Sequence, residues 1–506
     1  MSAKDLIEVF KFSGRGMLRV AAERESSILR AMPRWAHLIN AWCGCQMMAL
    51  GKWLTVWLAL GVAGAAQSVI AEERENSHLG IPEASVATSL PPSLADPGAL
   101  RARLASRGIT YGARSINELL GVVSGGDKRG AKYDGRLELH ADWDLAKAIA
   151  WRGLTFHVNA FQIHGRSISG ENVGSLASVS NIEATPATRL FEVWLEQSVL
   201  DGKASVRFGQ LAADSEFLTS EGGGALLNGT FGWPTIAAAN LPDGGPAYPL
   251  ATPGARLKLT GDDFTVLAGF FNGEVARPCA KDDPQRCNSD GLQFPLGDPL
   301  FMMVEAHAKY TLGFAGLVKV GGWRHYGDFE SSRFNDAGAR LAFSGGPAAI
   351  LHHNYGLYGI VDQVVYRVPG SETRGASVFG RVAGSPDDRN LIDFYLEGGV
   401  TFTGLTAGRP SDVIAVGIGH SSLAGDVRGA DRDRNLASGH AAPVRSSETV
   451  FEISYAAEVV PGWTIQPDFQ YFWRPGGGGV QPDDDPAGEP RPENAAVIGL
   501  RSTIKY

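Results

Sequence analysis

From Ile109 onward, apolar residues recur at every second position in segments of about ten residues, the period and length of a tilted strand crossing a bilayer. The stretch GRLELHADWDL puts Leu137, Leu139, Ala141, Trp143 and Leu145 on one face, and Arg136, Glu138, His140, Asp142 and Asp144 on the other. LTFHVNA sets Leu154, Phe156 and Val158 against Thr155, His157 and Asn159. RLFEVWLEQS sets Phe191, Val193 and Leu195 against Glu192, Trp194 and Glu196. About sixteen such segments are expected, opening near Ile109, Gly135, Leu154, Arg189, Ala204, Ala255, Phe264, Phe301, Gly316, Tyr355, Ala376, Leu391, Val413, Thr449, Trp463 and Ala495. Short links (LDGK, GDD, LGFA, VVPG) alternate with long ones. The long ones include the loop from Leu211 to Gly254 and the stretches around the paired cysteines, His352, Asp431 and Gly476.

The pattern predicts an all-β fold over residues 109–506: a transmembrane antiparallel β-barrel of about 16 strands, with short periplasmic turns and long extracellular loops. Its last strand directs Ile498, Leu500, Ile504 and Tyr506 outward, with Ser502 as the lapse, and Gly499, Arg501, Thr503 and Lys505 inward. This strand must pair with the first, because an open edge in lipid leaves amide groups without partners. A soluble sandwich or propeller also has many short strands, but has no reason to place long loops at alternate connections. Trp151, Tyr310, Trp463 and Tyr506 stand at strand ends, as in a girdle at the membrane interface.

Upstream the character changes. Leu54 to Ala66 is apolar, follows Lys52, and is too short to span a bilayer, which suits the h-region of a secretory signal. Residues 1–71 are read as a leader cleaved after Ala71, with Ala65 as the second choice. Within it, residues 1–46 are either a mis-assigned extension before Met47 or Met48, or a genuine leader. Residues 72–108 form a periplasmic connector with a short helix. Export makes a disulfide between Cys279 and Cys287 expected across the loop CAKDDPQRC. No further ligands stand near these cysteines, so neither a metal nor a cofactor is expected.

A net charge of -8 without a broad basic face argues against nucleic acid. There is no G-x-S-x-G elbow and no Walker-type loop, and neither His140 with Asp142 nor the His352–His353 pair has a nucleophile to serve. An enzyme is not expected.

The stretches TRLFEVWLEQSVLDGKASVRFGQLAADSEF, NGTFGWP, ANLPDGGPAYPLATPGARLKL and GSPDDRNLIDFYLEGGVTFTGL, with the SDVIAVGIGH strand, closely resemble the OprB family of carbohydrate-selective porins. The resemblance runs from LRARLASRGITYG to the last strand. It implies a bacterial outer-membrane barrel of sixteen strands through which sugars, often glucose, diffuse down a gradient past a constricted, charged eyelet. Where the family commonly reads GDWGG before the N-terminal helix, this chain has LADPGAL.

A sugar offers hydroxyls that donate and accept, and an apolar C–H face. Carboxylates, guanidinium groups and aromatic rings together can replace its hydration, and several modest contacts in series allow release. The inward candidates are Arg136, Glu138, Glu192, Trp194, Glu196, Arg207, Arg256 and Lys258. The long Leu211–Gly254 loop, expected to fold into the lumen, adds Glu216 and Trp233. Each of these is also compatible with a salt-bridge ladder that only stiffens the wall, and the set as a whole with a general diffusion pore. The expected partners are carbohydrate solutes, outer-membrane lipid and lipopolysaccharide, and the barrel assembly machinery reading the strand that ends at Tyr506.

Overall fold

The computed structural model describes residues 89–96, 98–280, 283–479 and 493–506, so the leader reading lies outside it. The described residues form sixteen strands. They are β1 (Ile109–Gly126), β2 (Gly130–Asp144), β3 (Leu154–Gly165), β4 (Ala187–Val199), β5 (Ala204–Leu211), β6 (Thr252–Thr260), β7 (Phe264–Asn272), β8 (Leu300–Leu312), β9 (Phe314–Glu330), β10 (Ile350–Arg367), β11 (Gly375–Gly384), β12 (Ile392–Thr403), β13 (Val413–Leu423), β14 (Ser447–Val460), β15 (Trp463–Trp473) and β16 (Glu493–Lys505). Each pairs antiparallel with its neighbours in sequence, and β1 pairs with β16 to close the barrel. Every expected strand is present. The largest boundary differences are at β2 and β10, which begin at Gly130 and Ile350 rather than near Gly135 and Tyr355. His352 and His353 therefore lie on the extracellular end of β10, not in a loop.

The two faces separate by solvent as the alternation requires. Leu139, Ile498 and Leu500 are exposed outward, while Arg136, Glu138 and Arg501 are buried inward. Trp151 donates its indole N–H to Gln197 (2.8 Å) and Trp463 donates to Ser502 (3.0 Å). Ser502 breaks the apolar row of the last strand because it satisfies a girdle indole that would otherwise face the bilayer without an acceptor.

One parity assignment is corrected. Between β3 and β4 the register slips, with Val158 opposite Val193 but Ala160 opposite Leu190, so two adjacent residues of β4 point inward. Phe191, expected on the outer face, is buried inside beside Glu192, and packs on Phe161 at 4.8 Å between ring centroids. A bulge adds one residue to one strand and inverts the parity beyond it, which simple counting cannot register.

Connection lengths are less regular than expected. The extracellular link between β1 and β2 is only Asp127–Arg129, whereas the periplasmic link between β2 and β3 carries a helix at Leu145–Ile149. On the periplasmic side the N-terminal segment returns to the seam. Leu90 donates its N–H to the Lys505 carbonyl (2.9 Å), and Arg101 of the helix Leu100–Ala105 lies over the Tyr506 ring (5.3 Å).

The long loops turn inward. The loop between β5 and β6 crosses the lumen, and acidic side chains of the far wall accept its backbone amides. Glu305 takes Leu218 (2.9 Å), Asp362 takes Gly222 (3.2 Å), and Glu452 takes Leu227 (2.5 Å) and Asn228 (2.9 Å). From β11, Arg381 donates to the carbonyls of Leu218 (2.5 Å), Phe231 (2.7 Å) and Gly232 (2.9 Å). The loop between β3 and β4 is held alike, its Leu176 and Ala177 amides on Glu448 at 2.8 Å. The two loops join through Asn181 N–H to the Leu227 carbonyl (2.7 Å) and Gly229 N–H to the Ser178 carbonyl (2.8 Å).

Two outcomes follow. Arg501 of β16 donates to Glu118 of β1 across the closing seam. Removing one partner of a buried ion pair costs about 3–5 kcal/mol. Arg501→Ala should therefore lower the temperature at which the barrel loses its fast-migrating form on unheated gels; an unchanged midpoint would remove Arg501 from the seam's stability. Glu452→Ala withdraws the acceptor from two loop amides, and each buried unsatisfied group costs about 1–3 kcal/mol. Single-channel conductance in planar bilayers should rise and become noisier, while a wild-type trace would show that the loop is held without this anchor.

Candidate functional site

β4, β5 and β6 bring Glu196, Arg207 and Arg256 into register, with Glu196 opposite Arg207 and Arg207 opposite Arg256. The loop descends onto them and adds Glu216. The four charges close into a ring. Arg207 reaches Glu196 at 2.7 Å and Glu216 at 3.3 Å, and Arg256 reaches Glu216 at 2.7 Å and Glu196 at 3.0 Å. Two cations and two anions in alternation leave the ring formally neutral.

Access to this ring is unequal. The guanidinium groups are buried, whereas the Glu196 side chain retains 16% of its exposure and Glu216 retains 9%. The glutamate side chains thus keep some contact with the lumen while the arginines that hold them are withdrawn from it. Burial pushes the Glu216 carboxyl up, but Arg207 and then Arg256 outweigh it and hold it below the ordinary carboxylate range.

The other candidates fall into separate groups. Trp194 is buried, stacked on His157 (4.7 Å) with the Arg207 guanidinium over its other side (3.9 Å), so its ring supports the arginine rather than facing the bore. Arg136 lies over Phe161 (4.8 Å) and Tyr248 (5.2 Å), and reaches Glu138 at 3.5 Å. Glu192 accepts the Ala212 amide (3.0 Å) at the point where the loop leaves β5. Lys258 sits opposite Ser205, one inward position closer to the periplasm than the ring. Trp233 is half-buried in the loop, donating to the Gly244 carbonyl (2.9 Å) and packing against the cluster that contains Trp323, Tyr358 and Tyr395. Outside the lumen, Cys279 and Cys287 are joined in a disulfide.

The residues that the sequence pattern does not mark are the loop anchors on the far wall, Glu305, Lys319, Asp362, Arg381, Glu448 and Glu452, together with Glu397, which holds Arg381. Most are single charged positions within stretches rich in glycine and aliphatic residues, as in GASVFGRVAG, while Glu448 and Glu452 share β14. Isolated charges of this kind carry a signal only once the strand's parity is known. Asp142 is engaged by His157 at 2.7 Å.

Comparison with known proteins matches this architecture. "Porin B" of Pseudomonas aeruginosa is 22% identical over 419 residues, covering 76% of this chain and 87% of that protein. The high pH structure of Pseudomonas putida OprB superposes with a TM-score of 0.72 at 22% identity, over 81% of this chain and 97% of that one. The low pH structure of the same protein superposes with a TM-score of 0.51 at 17% identity, over 83% and 100%. Residues 128–506 match the family described as carbohydrate-selective porin, OprB family. With a closed sixteen-stranded barrel, a polar lumen narrowed by its own loops, and a family match over three quarters of its length, the chain belongs to the OprB family of carbohydrate-selective porins of the bacterial outer membrane.

Proposed function

We propose that this porin passes glucose-like monosaccharides in single file beside the inserted β5–β6 loop, and that the ring of Glu196, Arg207, Glu216 and Arg256 is the polar contact they meet. The observation that carries this reading is the unequal exposure of the ring: acceptor carboxylates reach the lumen while the arginines that orient them stay behind. Fixed acceptors suit a solute rich in hydroxyl donors. Because the ring sums to zero charge, it attracts neither cations nor anions over distance, which suits a neutral solute.

Lys258, on the periplasmic side of the ring, is a second donor on the same path. Trp233 offers part of its ring from the loop, its N–H already engaged, so stacking on a sugar C–H face costs no hydrogen bond. Arg136, Glu138, Glu192 and Trp194 act behind these as supports. We also infer that the assembly machinery recognises β16 through its outward row ending at Tyr506.

Charge-neutral Glu196→Gln retains the shape of the ring while exchanging one acceptor oxygen for a donor. Glucose should then block ion current at least about 10-fold less effectively, a loss of about 1.5 kcal/mol in contact free energy, the lower end of the range for one hydrogen bond to a charged group. Glucose block equal to wild type would remove the ring from the path. A general diffusion pore predicts something different: liposomes swelling at rates set by solute size alone across mono- and disaccharides, with no competition between sugars.

A further inference from the structure

The outer wall carries a groove that the sugar path does not use. Across β5, β6 and β7 one outward row reads Phe208, Ala255, Phe270, each directly opposite the next. A methyl group between two phenyl rings leaves a dent in a surface that is otherwise level with aliphatic and aromatic side chains. The extracellular loop between β7 and β8 overhangs this dent with Phe294 and Leu296, and the resulting open groove measures about 660 Å3. Its walls are mostly apolar, with Gln210, Asn272 and Asp298 as the polar lining residues, and it opens on the membrane-facing side of the barrel at the extracellular ends of the strands.

The roof is built to stay in place. The Asp290 carbonyl accepts the Leu190 amide (2.9 Å), and the Gly291 carbonyl accepts from Gln210 (3.1 Å), so the loop is fastened to β4 and β5. Gln285, inside the ring closed by the Cys279–Cys287 disulfide, accepts the Thr185 amide (2.7 Å). A loop with Leu292 and Leu296 exposed would be a liability in water. Against hydrocarbon it is at home. Beside the roof stands a cation: Arg277, exposed, has its backbone N–H on the Gln293 side chain (2.8 Å), which places it next to Leu292 and Phe294. The acidic neighbour Asp298 is turned to the Asn272 amide (2.7 Å).

We propose that this groove holds one acyl chain of a phosphorylated, multiply acylated glycolipid of the outer leaflet, with Arg277 meeting a headgroup phosphate. The groove's mostly apolar lining selects a hydrocarbon chain, its position selects the outer leaflet, and the exposed Arg277 on the same loop selects an anionic headgroup over a zwitterionic one.

The test uses the full mature barrel in nanodiscs and native mass spectrometry, with diphosphoryl lipid A as probe and phosphatidylethanolamine as comparison. Wild type should retain one lipid A and no phosphatidylethanolamine. Ala255→Trp, which fills the dent, and Leu296→Asp, which charges the roof, should each reduce retention at least about 10-fold. Arg277→Ala should reduce it about 5-fold. Fast gel migration without heating and unchanged glucose block report that each variant is folded. Retention at the wild-type level in both groove variants overturns the proposal, and so does a wild-type oligomer that Ala255→Trp dissociates, since a second copy would then fill the groove. Equal retention of dephosphorylated lipid A overturns the phosphate contact.

Discussion

The aperture of this porin depends on wall carboxylates accepting hydrogen bonds from loop backbone. A loop that leaves the rim and crosses the lumen takes its amides away from bulk water and from any β-ladder, and an amide left without an acceptor is costly to bury. Glu305, Asp362, Glu448 and Glu452 supply acceptors from the far wall, while Arg381 supplies donors to the carbonyls that face it. The inward charges therefore have two roles. Those on β8 to β14, with Glu192 on β4, hold the loops, and Glu196, Arg207 and Arg256 on β4 to β6 form the ring that the loop completes.

This division explains how far the sequence could be read. The barrel was legible because period-two alternation with a lipid-facing apolar row leaves few other folds open, and the sixteen strands follow from it directly. Ser502 looked like a lapse because the residue that needs it, Trp463, lies on the neighbouring strand. Phe191 reads as outward by simple alternation because the bulge shows itself only in the pairing with β3. Within the site, Glu196, Arg207, Arg256 and Glu216 were recognised as candidates, but their closure into a ring depends on strand register and loop descent, which a single sequence does not encode at any one position. Trp194 reads as a sugar platform in the sequence. In the fold, His157 and Arg207 occupy its two sides.

The ring also shows why burial of charge is tolerable in a channel. Each arginine meets two carboxylates and each carboxylate two arginines, so desolvation of the guanidinium groups is offset by paired contacts on both sides. Losing any member would strand its partners in a site with little water. A polar contact assembled in this way is rigid, so a passing solute does not have to order it first.

The bonds that fix the β5–β6 loop reach strands arriving much later in the chain: Leu227 lies on the loop and Glu452 on β14, 225 residues apart. During synthesis and insertion the loop exists long before its anchors do. Calibre is thus a property of the completed cylinder alone, and an unfinished one would be a wide leak, so a cell gains permeability control only from molecules whose final strands have taken their places.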